Sequence, residues 1–113
     1  MMWISDLRHF LDEEGEIPDE LPGPALEMAL FLGSIAAWVT SRECRDPYCE
    51  DAWTNVPCRR RPRRRRCRGT IVAWLDSDGA TIVWQCLNCG DRGTITGWEG
   101  TDWDRRPDEV HPV

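Results

Sequence analysis

Five residues constrain this chain more than any others: Cys86-Leu87-Asn88-Cys89-Gly90, which directly follow a strand signal. Two thiols at this spacing, on a turn whose backbone N–H groups face the sulfurs, supply half of a tetrahedral metal site. Gly90 suits such a turn because it takes a left-handed backbone without steric cost. The preceding strand belongs to a hairpin. Thr70-Ile71-Val72-Ala73-Trp74-Leu75 and Ala80-Thr81-Ile82-Val83-Trp84-Gln85 are rich in β-branched and aromatic residues and flank Asp76-Ser77-Asp78-Gly79. The spacing predicts a four-residue loop with Gly79 at its left-handed position. Trp74 then pairs with Thr81 and Trp84 with Ile71, which puts the two indoles on opposite faces. Core filling is the expected role of both, and of Trp98 and Trp103 over the same sheet. A third strand is expected over Gly93 to Trp98.

The other half of the metal site must come from earlier in the chain, where four more cysteines lie: Cys44, Cys49, Cys58 and Cys67. Cys67-Arg68-Gly69 leads straight into the first hairpin strand, so the hairpin brings Cys67 close to Cys86 at its open end. Cys58 then returns across Arg59 to Arg66, a longer gap than paired zinc ligands usually show. Cys44 and Cys49 are the rival first pair. A redox pair would need a helix N-terminus and a thioredoxin-like setting, neither of which the pattern contains. Spacing alone does not separate zinc from iron held by four cysteines. A full set of four protein thiolates leaves no open position, so one zinc ion there would be structural.

The order knuckle, hairpin, knuckle, strand resembles the zinc ribbons, with residues 58–98 as a divergent member. Cys58-Arg59-Arg60-Arg61-Pro62, Cys67-Arg68-Gly69-Thr70-Ile71-Val72-Ala73, Trp84-Gln85-Cys86-Leu87-Asn88-Cys89-Gly90-Asp91 and Gly97-Trp98-Glu99-Gly100-Thr101-Asp102-Trp103-Asp104 are more narrowly similar to a family of small uncharacterised bacterial proteins. The likeness extends to His9-Phe10-Leu11-Asp12 and Pro22-Gly23-Pro24-Ala25. It implies Cys58, Cys67, Cys86 and Cys89 as the metal-ligating quartet and sets Cys44 and Cys49 aside. It implies no activity.

Charge is divided along the chain. The formal net charge is −6 over 113 residues, and every cation is Arg. Residues 1–57 sum to −9, residues 58–68 to +8 and residues 69–113 to −5. An acidic protein has no general attraction for polyanions, so any contact with DNA or RNA must come from the basic block. Arg59, Arg60, Arg61, Arg63, Arg64, Arg65, Arg66 and Arg68 carry it. Guanidinium groups suit phosphates and guanine edges, and zinc ribbons are often nucleic-acid modules by analogy of fold. The alternative is that the loop pairs with an acidic protein surface, the chain's own or a partner's.

The rest of the chain is organised around one helix. An acidic N-terminal segment, 1–43, begins with Ile4, Leu7, Phe10 and Leu11, which read as a helical turn or a strand. Phe10-Leu11-Asp12-Glu13-Glu14-Gly15 echoes Trp74-Leu75-Asp76-Ser77-Asp78-Gly79, which hints at a second hairpin. A helix is expected from about 24 to 40, because Pro24 suits a first turn. Leu26, Met28, Leu30, Phe31, Leu32, Ile35, Trp38 and Val39 surround it with apolar groups. Such a helix is buried, either against the rest of this chain or in a dimer. Residues 44–57 read as a loop, 58–104 as the ribbon-like module and 105–113 as a tail.

The expected architecture is therefore α+β: an N-terminal helical segment on a three-stranded antiparallel zinc ribbon. The longest apolar stretch, Ala25 to Val39, falls short of a membrane span, and Met1 to His9 lacks the cationic start of a signal peptide. A cytoplasmic protein without a membrane partner is the expectation. His9 and His111 stand in no arrangement that suggests catalysis, and no nucleophile elbow or phosphate loop is present. A binding protein is expected rather than an enzyme.

Overall fold

The computed structural model describes residues 2–42, 53–59, 65 and 67–106. Strand β1 (Met2–Asp6) runs into a single 3-10 turn, Leu7–Phe10, which Asp6 caps by accepting a hydrogen bond from Arg8 N at 2.9 Å. Helix α1 (Gly23–Thr40) follows, then β2 (Trp53–Pro57), β3 (Thr70–Leu75), β4 (Ile82–Cys86) and β5 (Arg92–Thr96). The strands form one sheet in the order β1-β5-β4-β3-β2, with β1 parallel to β5 and the other pairs antiparallel. The protein is thus α+β, but its sheet has five strands rather than the expected three.

Of the two additional strands, β1 was open as one reading of the N-terminal piece, whose other reading is met by the 3-10 turn, and β2 was not expected. Residues 53–57, taken as loop, alternate exposed and buried as an edge strand. Pro57 closes β2 at the sheet edge, where the missing N–H does no harm. The register with β3 shifts between Trp53 and Pro57, and buried Thr54 bridges the irregularity. Its hydroxyl donates to Ile71 O at 2.8 Å and accepts from Val56 N at 3.1 Å. At the other edge, β1 pairs with β5 some ninety residues away, so nothing local signals its place in this sheet. The N-terminal echo is of a turn only. Gly15 N donates to Asp12 O and Gly79 N to Asp76 O, both at 3.0 Å with positive φ, but β1 and the Asp12 turn form no hairpin.

The β3–β4 hairpin also differs in register from expectation. Trp74 pairs with Val83 and Ala73 with Trp84, because Ala80 and Thr81 are drawn into the turn. Asp78 accepts from both of their backbone N–H groups and from the Thr81 hydroxyl at 2.7–2.9 Å. The shift is two residues, so the faces are preserved and the two indoles still oppose each other. Trp84 is buried on the helix side, while Trp74 is half-buried on the other.

Helix α1 packs on β2, β3, β4 and the 3-10 turn. Leu32, Ile35, Ala36 and Val39 meet Ile71, Ala73, Ile82, Trp84, Ile95 and Trp98 in one core. By length and composition α1 is also apolar enough to cross a membrane; here its buried face belongs to this core, while Leu30 and Trp38 stay exposed. The segment after β5 wraps back over the helix. Trp103 lies against Gly33, where any side chain would collide with its indole, and Arg105 N donates to the buried Thr40 hydroxyl at 2.8 Å. The N-terminal segment and the cysteine-bearing module therefore share one sheet and one core.

Candidate metal centre

Three strand ends build the site. Cys58 follows the last residue of β2, Cys67 precedes β3, and Cys86 closes β4 and opens the turn that carries Cys89. The ends are fixed by the backbone: Cys58 N donates to Gly69 O at 2.9 Å, Cys86 N to Asp91 O at 2.7 Å and Gly90 N to Cys86 O at 2.9 Å. Gly90 has φ +80°, the left-handed turn expected for it.

The four sulfurs lie within 4.8 Å of one another. Cys58 and Cys89 are 3.7 Å apart, as are Cys67 and Cys86. Thiolates about 2.3 Å from a shared tetrahedral metal are separated by roughly 3.8 Å, so both distances match edges of such a tetrahedron. They exceed the bonded length of a disulfide, about 2.05 Å, and all four cysteines are free. Three are buried and Cys89 is half-buried, which shields a bound ion from water. Cys58, Cys67, Cys86 and Cys89 can bind a metal ion.

The surroundings favour thiolate at one position above all. The Cys67 thiol is lowered to about 6, chiefly because the Asn88 amide donates to its sulfur, with a second bond from Gly69 N. Those bonds are 3.2 Å and 3.3 Å long. Burial pushes the Cys89 thiol up, and a bound cation would offset that cost.

Asn88 and Gly69 were not singled out in the sequence. Asn88 stands inside the Cys86–Cys89 knuckle but donates across to Cys67 before β3, a contact that no local pattern announces. A β-carbon on Gly69 would fall 2.5 Å from Cys86 Sγ and 2.7 Å from Asn88 Cβ. Gly69→Ala is therefore expected to spread the cluster, weaken metal binding at least tenfold and cost about 1–3 kcal/mol of stability. Competition with a chromophoric chelator reads the first effect and urea unfolding the second. Unaltered affinity would mean that the cluster does not close as described.

Of the expected basic residues, Arg59, Arg65 and Arg68 are described. Arg65 and Arg68 are exposed. Arg59 is half-buried and lies over the Phe31 ring, 5.8 Å from its centre. Arg60, Arg61, Arg63, Arg64 and Arg66 lie outside the described residues, as do Cys44, Cys49 and His111. Comparison with protein-family models, with curated proteins and with solved structures gave no match to this chain.

Proposed function

We propose that Cys58, Cys67, Cys86 and Cys89 hold one structural zinc ion and that the arginine-rich segment between the first two contacts nucleic acid. The observation that carries the proposal is the closure of the four thiols at one end of the sheet. Because Cys58 and Cys67 both belong to the cluster, the chain from Arg59 to Arg66 leaves it and returns to it. Zinc fits the donor set because four thiolates in a tetrahedron suit its coordination. A site filled by protein ligands leaves no position for a substrate, so the ion organises the chain rather than catalyses.

Nucleic acid is the partner favoured by the all-arginine composition, since planar guanidinium groups bind phosphate in a bidentate manner. Among the described residues no ion pair reaches Arg59, Arg65 or Arg68, which speaks against neutralisation by the chain's own acids at these three positions. The test is binding of RNA and duplex DNA as a function of salt. The affinity of the wild type is expected to fall steeply with salt. Changing Arg63, Arg64, Arg65 and Arg66 together to Ser should flatten the slope of log affinity against log salt by up to about 4. Identical salt curves for the two proteins, or no binding, would remove nucleic acid and leave an acidic protein surface as the partner.

A further inference from the structure

Helix α1 covers only one face of the sheet. Alternation along each strand divides the side chains between two faces. Ile71, Ala73, Ile82, Trp84 and Ile95 join the helix in the core, and Trp98 and Trp103 of the segment after β5 pack there too. Trp3 and Ser5 of β1 also turn to this side, where they line a cavity of about 180 Å³ beside Arg59 together with Phe31 and Trp84. The second face therefore carries Trp53, Trp74, Val83, Arg92 and Ile4, one from each strand. A sheet face turned to water ordinarily bears the polar half of an alternating pattern. This one bears two indoles, and Trp53 and Ile4 are 53% and 83% exposed. Adjoining exposed apolar groups mark a binding surface.

The strand register places these groups relative to one another. Trp53 pairs with Val72, so Trp74 is its diagonal neighbour, with the two backbones about 7–8 Å apart. Trp74 pairs with Val83, Val83 with Thr94 and Thr94 with Ile4, an apolar row broken by one hydroxyl. In the adjacent row Val72 pairs with Gln85 and Gln85 with Arg92. Arg92 thus stands three strands from Trp53, about 14 Å away. It is exposed, and no ion pair reaches it among the described residues. Arg68, also exposed, precedes β3 at the same end of the sheet. Among the described residues the acids nearest this face are Asp6, Asp76 and Asp78, which lie at the opposite end and accept backbone N–H bonds in their own turns. Asp91 turns to the helix side, where it accepts from the Trp3 indole.

Two neighbouring indoles and an unneutralised guanidinium fit a ligand that offers flat rings and negative charge in turn. An unpaired strand of nucleotides offers both. Its bases stack on aromatic side chains with little regard to sequence, and a sheet face that holds two or three bases in this way is a known arrangement. A second copy of the chain fits less well. It would bury Arg92 without a counter-charge, because Asp6, the one acid on this face among the described residues, is engaged in capping the 3-10 turn. We propose that the open face of the sheet binds an unpaired stretch of nucleic acid, with bases stacked on Trp53 and Trp74 and a phosphate further along the strand on Arg92. This rests on the nucleic-acid reading above and adds a preference for unpaired strands.

The experiment measures binding of a labelled oligothymidylate, and of a duplex of equal length, to the purified full chain at one low salt concentration. The single strand is expected to bind about tenfold more tightly than the duplex. Trp53→Thr and Trp74→Thr should each lower single-strand affinity about tenfold and leave duplex binding unchanged, because paired bases stay in their stack. Trp53→Phe should retain most of the wild-type affinity, since any ring stacks. Arg92→Gln should flatten the single-strand salt slope by about 1. Trp53 is exposed and Thr suits a strand, so Trp53→Thr should keep the wild-type urea midpoint and serves as the test even where Trp74→Thr unfolds. Equal binding of the two forms, unaffected by Trp53→Thr, overturns the sheet-face proposal while the arginine reading stands. Binding of neither form overturns both. A dimer in size-exclusion chromatography that Trp53→Thr converts to a monomer assigns the face to a second copy and overturns the sheet-face proposal as well.

Discussion

Replacing Cys67 or Cys86 with Ser is expected to abolish metal binding and to remove the native near-ultraviolet circular dichroism of the tryptophans. Structural zinc held by thiolates contributes an apparent 10–16 kcal/mol or so at neutral pH, as large as the whole stability of an ordinary domain, about 5–15 kcal/mol. The position of the site makes the loss general. Cys58, Cys67 and Cys86 sit at the ends of β2, β3 and β4, so an ion held there would tie three of the sheet's five strands together. All three belong to the same core cluster as Ile71 and Trp84. Without an ion, four thiols within 4.8 Å of one another keep their repulsion when ionised and have no common partner. Metal analysis of purified protein should return a stoichiometry near one. Serine at Cys44 or Cys49 should leave it intact. A metal-free protein that is fully folded, with the tryptophan signal retained, would defeat the zinc proposal.

The second large effect is expected at Trp98. Truncation to Ala should cost about 3–5 kcal/mol in urea unfolding, because Trp98 is the largest fully buried side chain among the described residues. It also joins parts of the chain that are distant in sequence. Its indole N–H donates to Ala80 O at 2.7 Å in the β3–β4 turn, and the Arg106 guanidinium stacks over its ring at 4.7 Å. Arg106 in turn grips Asp104 through two bonds of 3.0 Å and 2.8 Å, which hold the Asp104 carboxyl at about 2. Trp98→Phe keeps most of the volume but strands the Ala80 carbonyl, so it should cost less, about 1–3 kcal/mol. A Trp98→Ala protein as stable as wild type would show that the segment after β5 does not dock as described.

The local elements were legible because their signals are local. Pro24 and a long apolar run mark α1, which begins one residue before the expected start. The β-branched run Thr70–Leu75 is β3 with its expected ends. In the site, the knuckle Cys86–Cys89 was legible from its spacing and Cys67 from where a hairpin brings its open end, whereas Cys58 stood against the rival pair Cys44 and Cys49 and was favoured only by the resemblance. Asn88 and Gly69 were not, because a sulfur's hydrogen bonds and the room around it depend on three strand ends meeting.

The sequence by itself determined the composition of this protein's two unusual features: six cysteines, two of them in a metal-binding knuckle, and eight arginines with no acid among them. It determined the helix and the hairpin, since periodicity and turn chemistry act over a few residues. Only the tertiary structure decided that the sheet has five strands, because β1 pairs with a strand some ninety residues away and β2 pairs through an irregular register that Thr54 bridges. The cavity beside Arg59, lined by Phe31 and Trp84, was also decided there. It arises where a helix and a sheet leave a gap between large rings, and no stretch of sequence encodes a gap.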